Sequence, residues 1–279
     1  MATNLNRYVD AWEQTIRSVS ELVEDVAPPL WERPTDCPGW SVRDQVSHII
    51  GVERELLGEL APFHQLPRDL RHIQNDFGRH MEVAVNLRRH HTPPEVTWEL
   101  YETIQKRVKA VRAELESGRY APDDTVTGPG GIEVSYSRAL SLRAFDVWVH
   151  EQDIRRAVGR PGNLDAPAAE VVREIVYEAL PRVIAKDAAV PPGSVVRFTV
   201  TGPYKLDFAV TVDAEGHGGL VEDVASLVGA AEPTVRLGTD WETFVRLVCG
   251  RVHPNRAKVT VAGDEAVAGR VLAELAVTP

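Results

Sequence analysis

Asp146 and His150 stand four residues apart in the segment RAFDVWVHEQD. On a helix that spacing stacks both side chains on one face. Leu142 and Val149 share the face, so it is expected to turn inward. A carboxylate and an imidazole are costly to bury without partners. Two arrangements relieve the cost: the pair bonds internally, or both groups bind a cation. Helical bundles build metal sites from such inward carboxylates and histidines. His48, beside Gln45, Ile49 and Val52, is the natural third ligand. Three nitrogen and oxygen donors with one open position form the pattern of a catalytic rather than a structural zinc. Spacing alone leaves the plainer arrangement open, with Asp146 and His150 as an ordinary helix pair and His48 as a satisfied core histidine.

The neighbouring polar residues carry weaker signals. Asp153 lies three residues past His150 and either orients that imidazole or sits solvated beside Arg155 and Arg156. Glu53 is expected as an exposed helix carboxylate. His64, His72, His80, His90, His91 and His217 show no ligand spacing and are expected at the surface. Cys37 has no neighbouring histidine to activate it, so it reads as a turn cysteine packed near Trp40.

The elements that must position these groups are helical. Over residues 4–26, Tyr8, Trp12, Ile16, Val19, Val23 and Val26 recur at three- and four-residue steps. Pro28 and Pro29 stop that helix. Ser41, with Asp44 three residues on, opens the helix that carries Val42, Val46, His48, Ile49, Leu56 and Leu60. Residues 67–91 read as helical but broken. Thr92, Pro93 and Glu95 start another helix, stopped by Gly118. After an irregular stretch, APDDTVTGPGGIEVS, a long helix runs from about Tyr136 to Val158 and ends at Gly159.

The second half changes character. One more helix is expected over 166–187, followed by a KDAAVPPGS linker. VVRFTVTG and YKLDFAVTVD then alternate with the two-residue period of strands. TVRLG and AKVTVAG are shorter strand candidates, with helices near Trp241–Cys249 and Asp264–Leu275. The expected architecture is therefore two domains: an all-α four-helix bundle over 1–163 and a small α+β domain over 164–279.

Composition narrows the class. The chain has 279 residues, long enough for two cores, and a net charge of -10. That charge argues against a broad nucleic-acid surface. Two cysteines, Cys37 and Cys249, exclude a disulfide framework and a four-thiolate zinc site. The amino terminus lacks the apolar core of a signal peptide, and no stretch approaches a membrane span. A cytoplasmic protein is expected, with no membrane or nucleic-acid partner. Its oligomeric state is not legible, and a monomer is the working expectation.

The segments PTDCPGWSVRDQVSHIIGVE and RAFDVWVHEQDIRRAVGRPG resemble signature stretches of the mycothiol-dependent maleylpyruvate isomerase family, relatives of the DinB-like metal-binding bundles. The tail from Thr239 to Ala276 is similar to that family's C-terminal domain, which resembles sterol-carrier-protein-2 modules. The resemblance implies that His48, Asp146 and His150 hold a divalent metal, zinc by preference. It places glutamate where this chain has Asp146, one methylene shorter, so the ion would sit nearer that helix. It also implies that Arg251, in Cys249-Gly250-Arg251, lies near the active cleft and grips a substrate carboxylate. From the residues alone, Arg251 reads equally well as an arginine neutralising a helix C-terminus.

The function so implied is a metal-dependent enzyme using mycothiol on a small electrophilic substrate. Thiolate addition, bond rotation and thiol loss would make it an isomerase, and retention of the thiol an S-transferase. The alternatives are a metal-dependent hydrolase and a non-enzymatic carrier of small molecules or lipids.

Overall fold

The computed structural model describes residues 5–59, 62–227 and 232–278. Its chain divides into two compact units, Met1–Val171 and Val172–Pro279. Leu60, assigned above to the second helical stripe, lies outside the described residues.

The first unit is built on long helices: α1 (Leu5–Glu24), α2 (Val42–Leu56), α3 (Asp76–Arg88), α4 (Pro93–Ser117) and α5 (Tyr136–Val158). α1 packs on α5 and α4, while α2 packs on α3, α4 and α5. The four-helix bundle is therefore α1, α2, α4 and α5, with α3 laid against α2. Local chemistry explains the ends. Ser41 and Asp44 form a reciprocal capping box at the start of α2. Glu95 accepts from both the backbone and the hydroxyl of Thr92 at the start of α4. Gly118 and Gly159 close α4 and α5 in the left-handed conformation. A Cβ on Gly51 would lie 2.2 Å from the Cβ of Ala84, so the close approach of α2 and α3 needs glycine there.

Two expectations in this unit are corrected. The helix expected over 67–91 begins only at Asp76, capped by Asn75; its broken first part is not helical. The irregular stretch before α5 contains an antiparallel hairpin, β1 (Thr125–Thr127) and β2 (Glu133–Ser135). Its strands are three residues each, too short for a two-residue period to register.

The second unit holds a five-stranded sheet. β3 (Val195–Thr201), β4 (Leu206–Val212), β5 (Gly218–Val221), β6 (Val235–Asp240) and β7 (Thr260–Gly263) lie in the order β5-β4-β3-β6-β7. Only the β3–β6 pair is parallel. Helices α7 (Trp241–Val248) and α8 (Glu265–Ala273) accompany it, and α6 (Pro167–Arg182) runs across the division between the units. Stacked and edge-on rings of Tyr177, Phe198, Phe208, Trp241 and Phe244 form its core. The fold is thus a helical bundle followed by an α+β domain. β5, with two glycines in four residues, carried no strand pattern in the sequence.

Candidate metal centre

α2 and α5 bring three donors together. His48 Nε2 lies 3.4 Å from Asp146 Oδ2, and His150 Nε2 lies 3.4 Å from Asp146 Oδ1. The two imidazole rings meet edge to face at 4.7 Å. One donor atom from each of the three residues falls within 4.8 Å of the others, and no other such group occurs among the described residues. His48 and His150 each keep about 6% of the side chain exposed, whereas Asp146 keeps 31%. α5 is buried nearly all round; Leu142 and Asp146 are half-exposed, so their face opens rather than pointing fully into the core.

The ionisation of the set suits a cation. Burial holds the His48 imidazole below the usual histidine value; Asp146 pulls it upward, and His150 and Arg143 push it down. Burial alone would raise the Asp146 carboxyl. The charges of His150, Arg143 and His48 overcome this and hold it well below the usual aspartate value. An imidazole held low and a carboxylate kept ionised are forms in which His48 and Asp146 can bind a divalent metal. Neither buried ring nitrogen of His48 makes a hydrogen bond. A buried imidazole left so is costly unless another ligand takes it.

The surroundings fix the ligands. Asp153, fully buried, places Oδ2 3.7 Å from His150 Nδ1, while Arg156 and Gln45 bond its carboxylate. Of the two readings of Asp153, the solvated charge is therefore excluded. Trp40 stands over both imidazoles, with ring centroids 4.9 Å from His48 and 5.8 Å from His150. Its indole N–H donates to the fully buried Glu82, which also pairs with His72 and Arg89. His72 is thus no surface residue; it lies one layer behind Trp40, against Gly39, whose φ of +79° admits that approach. His80, His90 and His217 are exposed, as expected. Cys37 is half-buried in the turn, where its carbonyl accepts from the Trp40 backbone.

The largest correction concerns Glu53. It is fully buried, not an exposed carboxylate. Oε1 accepts from Trp12 at 2.9 Å and from Arg143 Nη2 at 2.8 Å and Nε at 3.1 Å; Oε2 accepts from Arg107 at 3.2 Å. Arg143 completes its set on Asp146 Oδ2 at 2.8 Å. This layer was missed because its partners stand 41, 54 and 90 residues from Glu53, and no local pattern announces them. In the second unit, Arg251 is half-buried just past α7 and donates from Nη1 to the carbonyl of Cys249 at 2.9 Å.

Residues 12–155 match the family described as the mycothiol maleylpyruvate isomerase N-terminal domain. The chain belongs to that family. A crystal structure of the mycothiol-dependent maleylpyruvate isomerase superposes with a TM-score of 0.57 at 14% identity, covering 93% of this chain and 93% of that one. A mutant of that isomerase, with one histidine replaced by alanine, gives 0.56 at 14% identity over the same shares. The family member described here therefore shares the isomerase fold across both units. The sterol carrier protein domain 2 of Helicoverpa armigera is 21% identical over 37% of this chain and 82% of its own, at a TM-score of 0.28. No curated protein matches the chain. Among the described residues, no helix is long and apolar enough to cross a membrane.

Proposed function

We propose that the chain is a divalent-metal-dependent, mycothiol-dependent enzyme acting on a small electrophilic substrate as an isomerase or S-transferase. His48, Asp146 and His150 would hold the ion, zinc by the nature of the donors. The observation that carries this reading is the convergence of those three donors within 4.8 Å in a chain of this family. A divalent cation there would favour the thiolate form of mycothiol at neutral pH.

The chain's own residues supply the rest. Arg143 fixes Asp146 and keeps it ionised. Asp153 sets the tilt of the His150 ring. Trp40 walls the imidazoles and restricts water. Arg251 is assigned the substrate carboxylate, for which a planar guanidinium offers a two-bond grip. The metal chemistry belongs to residues 1–163 and substrate orientation to residues 164–279. Cys37 and Cys249 form no disulfide, which suits a reducing compartment.

Turnover assays decide the matter. With mycothiol and maleylpyruvate, or a panel of other electrophiles, product should form only when both thiol and metal are present. Full recovery of thiol would mark an isomerase, and stoichiometric loss an S-transferase. Turnover that needs metal but no thiol would make the protein a hydrolase and overturn the proposal.

A further inference from the structure

The bundle holds a second concentration of polar chemistry, bordering the Glu53 layer through Arg107 and Arg143. A cavity of about 360 Å³ lies beneath the β1–β2 hairpin, walled by α4 and α5. That volume is in the range of small-molecule pockets. Thr125, Thr127 and Pro129 roof it, and Arg107, Glu114 and Arg143 line its walls.

The two arginines differ. Arg143 has its nitrogens engaged by Glu53 and Asp146. Arg107 bonds Glu53 only through Nε, although just 8% of its side chain is exposed. Among the described residues its terminal nitrogens bond no protein acceptor, which leaves them able to take one from a ligand. Glu114 stands seven residues further along α4, on the same side and about 10.5 Å along the axis. Its Oε2 accepts from the Tyr136 hydroxyl at 3.1 Å, and among the described residues no hydrogen bond reaches Oε1. Val126, Ala139 and Leu140 add apolar surface to the lining. One end thus offers donors, the other an acceptor.

We propose that this cavity binds a small carboxylate carrying a hydroxyl or ammonium group at its far end, with the carboxylate on Arg107 and the donor on Glu114. The site needs no metal and stands whether or not the enzymatic proposal does.

Titration calorimetry on the full chain with 4-hydroxybutyrate, butyrate and n-butylamine tests it. The hydroxy acid should bind saturably and about tenfold tighter than butyrate, the worth of one hydrogen bond to a charged group. The amine alone should not bind measurably. Affinities should be the same after chelation and in His48→Ala. Ala139→Trp, which fills the cavity, should abolish binding. Glu114→Leu, at a half-exposed position, should fold and erase the preference for the hydroxy acid over butyrate. No saturable binding, equal affinity of the two acids for the wild type, or unchanged binding in a folded Ala139→Trp protein would each overturn the proposal.

Discussion

His48 and Glu53 lie five residues apart on α2, and both are buried, yet the protein treats them in opposite ways. Glu53 is saturated: three donors reach one oxygen and a fourth reaches the other. His48 has no hydrogen bond at either ring nitrogen. The first is a buried charge resolved inside the protein, the second a buried polar group left open beside two more donors. The same helix that satisfies Glu53 so fully leaves the His48 ring nitrogens without hydrogen bonds, which is the ground for the proposed metal site.

The contrast is broken most directly in metal-free protein. Glu53→Leu strands Arg107 as an unpaired buried charge, leaves Arg143 only Asp146, and should cost about 3–5 kcal/mol of unfolding free energy. His48→Leu removes an unsatisfied imidazole and should change stability by less than about 1 kcal/mol, or increase it. Urea unfolding compares them; equal losses would erase the distinction between the two sites.

A smaller effect sharpens the ligand side. Asp153→Asn keeps the shape but removes the carboxylate facing His150 Nδ1. Metal affinity should fall about 10–100-fold, read by competition with a chromogenic chelator. An unchanged affinity would reduce Asp153 to a partner of Arg156.

The smallest effect is one of pH. The folded-state value of His48 is lowered from 6.5 by burial, so below about that pH the unfolded chain takes up a proton the folded one resists. Stability of metal-free protein should therefore fall as pH drops through and below 6.5, and His48→Leu should flatten that slope. The depressed Asp146 carboxyl contributes in the same direction, but only below its own ordinary value of 3.8. A slope that survives His48→Leu would assign the effect to other groups.

Much of this arrangement was legible in the chain. The four-residue step from Asp146 to His150 and the Ser41–Asp44 cap that phases His48 are local patterns, and local patterns survive folding. The strands β3 and β4 announced themselves through alternation over seven residues each. Glu53, Arg107 and Arg143 could not be read the same way, since an isolated charge on an amphipathic helix looks solvated until its distant partners are known. Trp40 and His72 escaped for the same reason: their shared partner, Glu82, lies on another element. The inward face assigned to Asp146 was half right, because α5 has no fully exposed residue yet Leu142 and Asp146 stay half-exposed.

His48, Asp146 and His150 are proposed to hold a metal. The direct measurement is the metal content of the purified protein, by mass spectrometry, beside His48→Ala and His150→Ala variants checked for folding by circular dichroism. The account predicts one divalent ion per wild-type chain and its loss from both variants. Folded variants that keep a full equivalent of metal would contradict it.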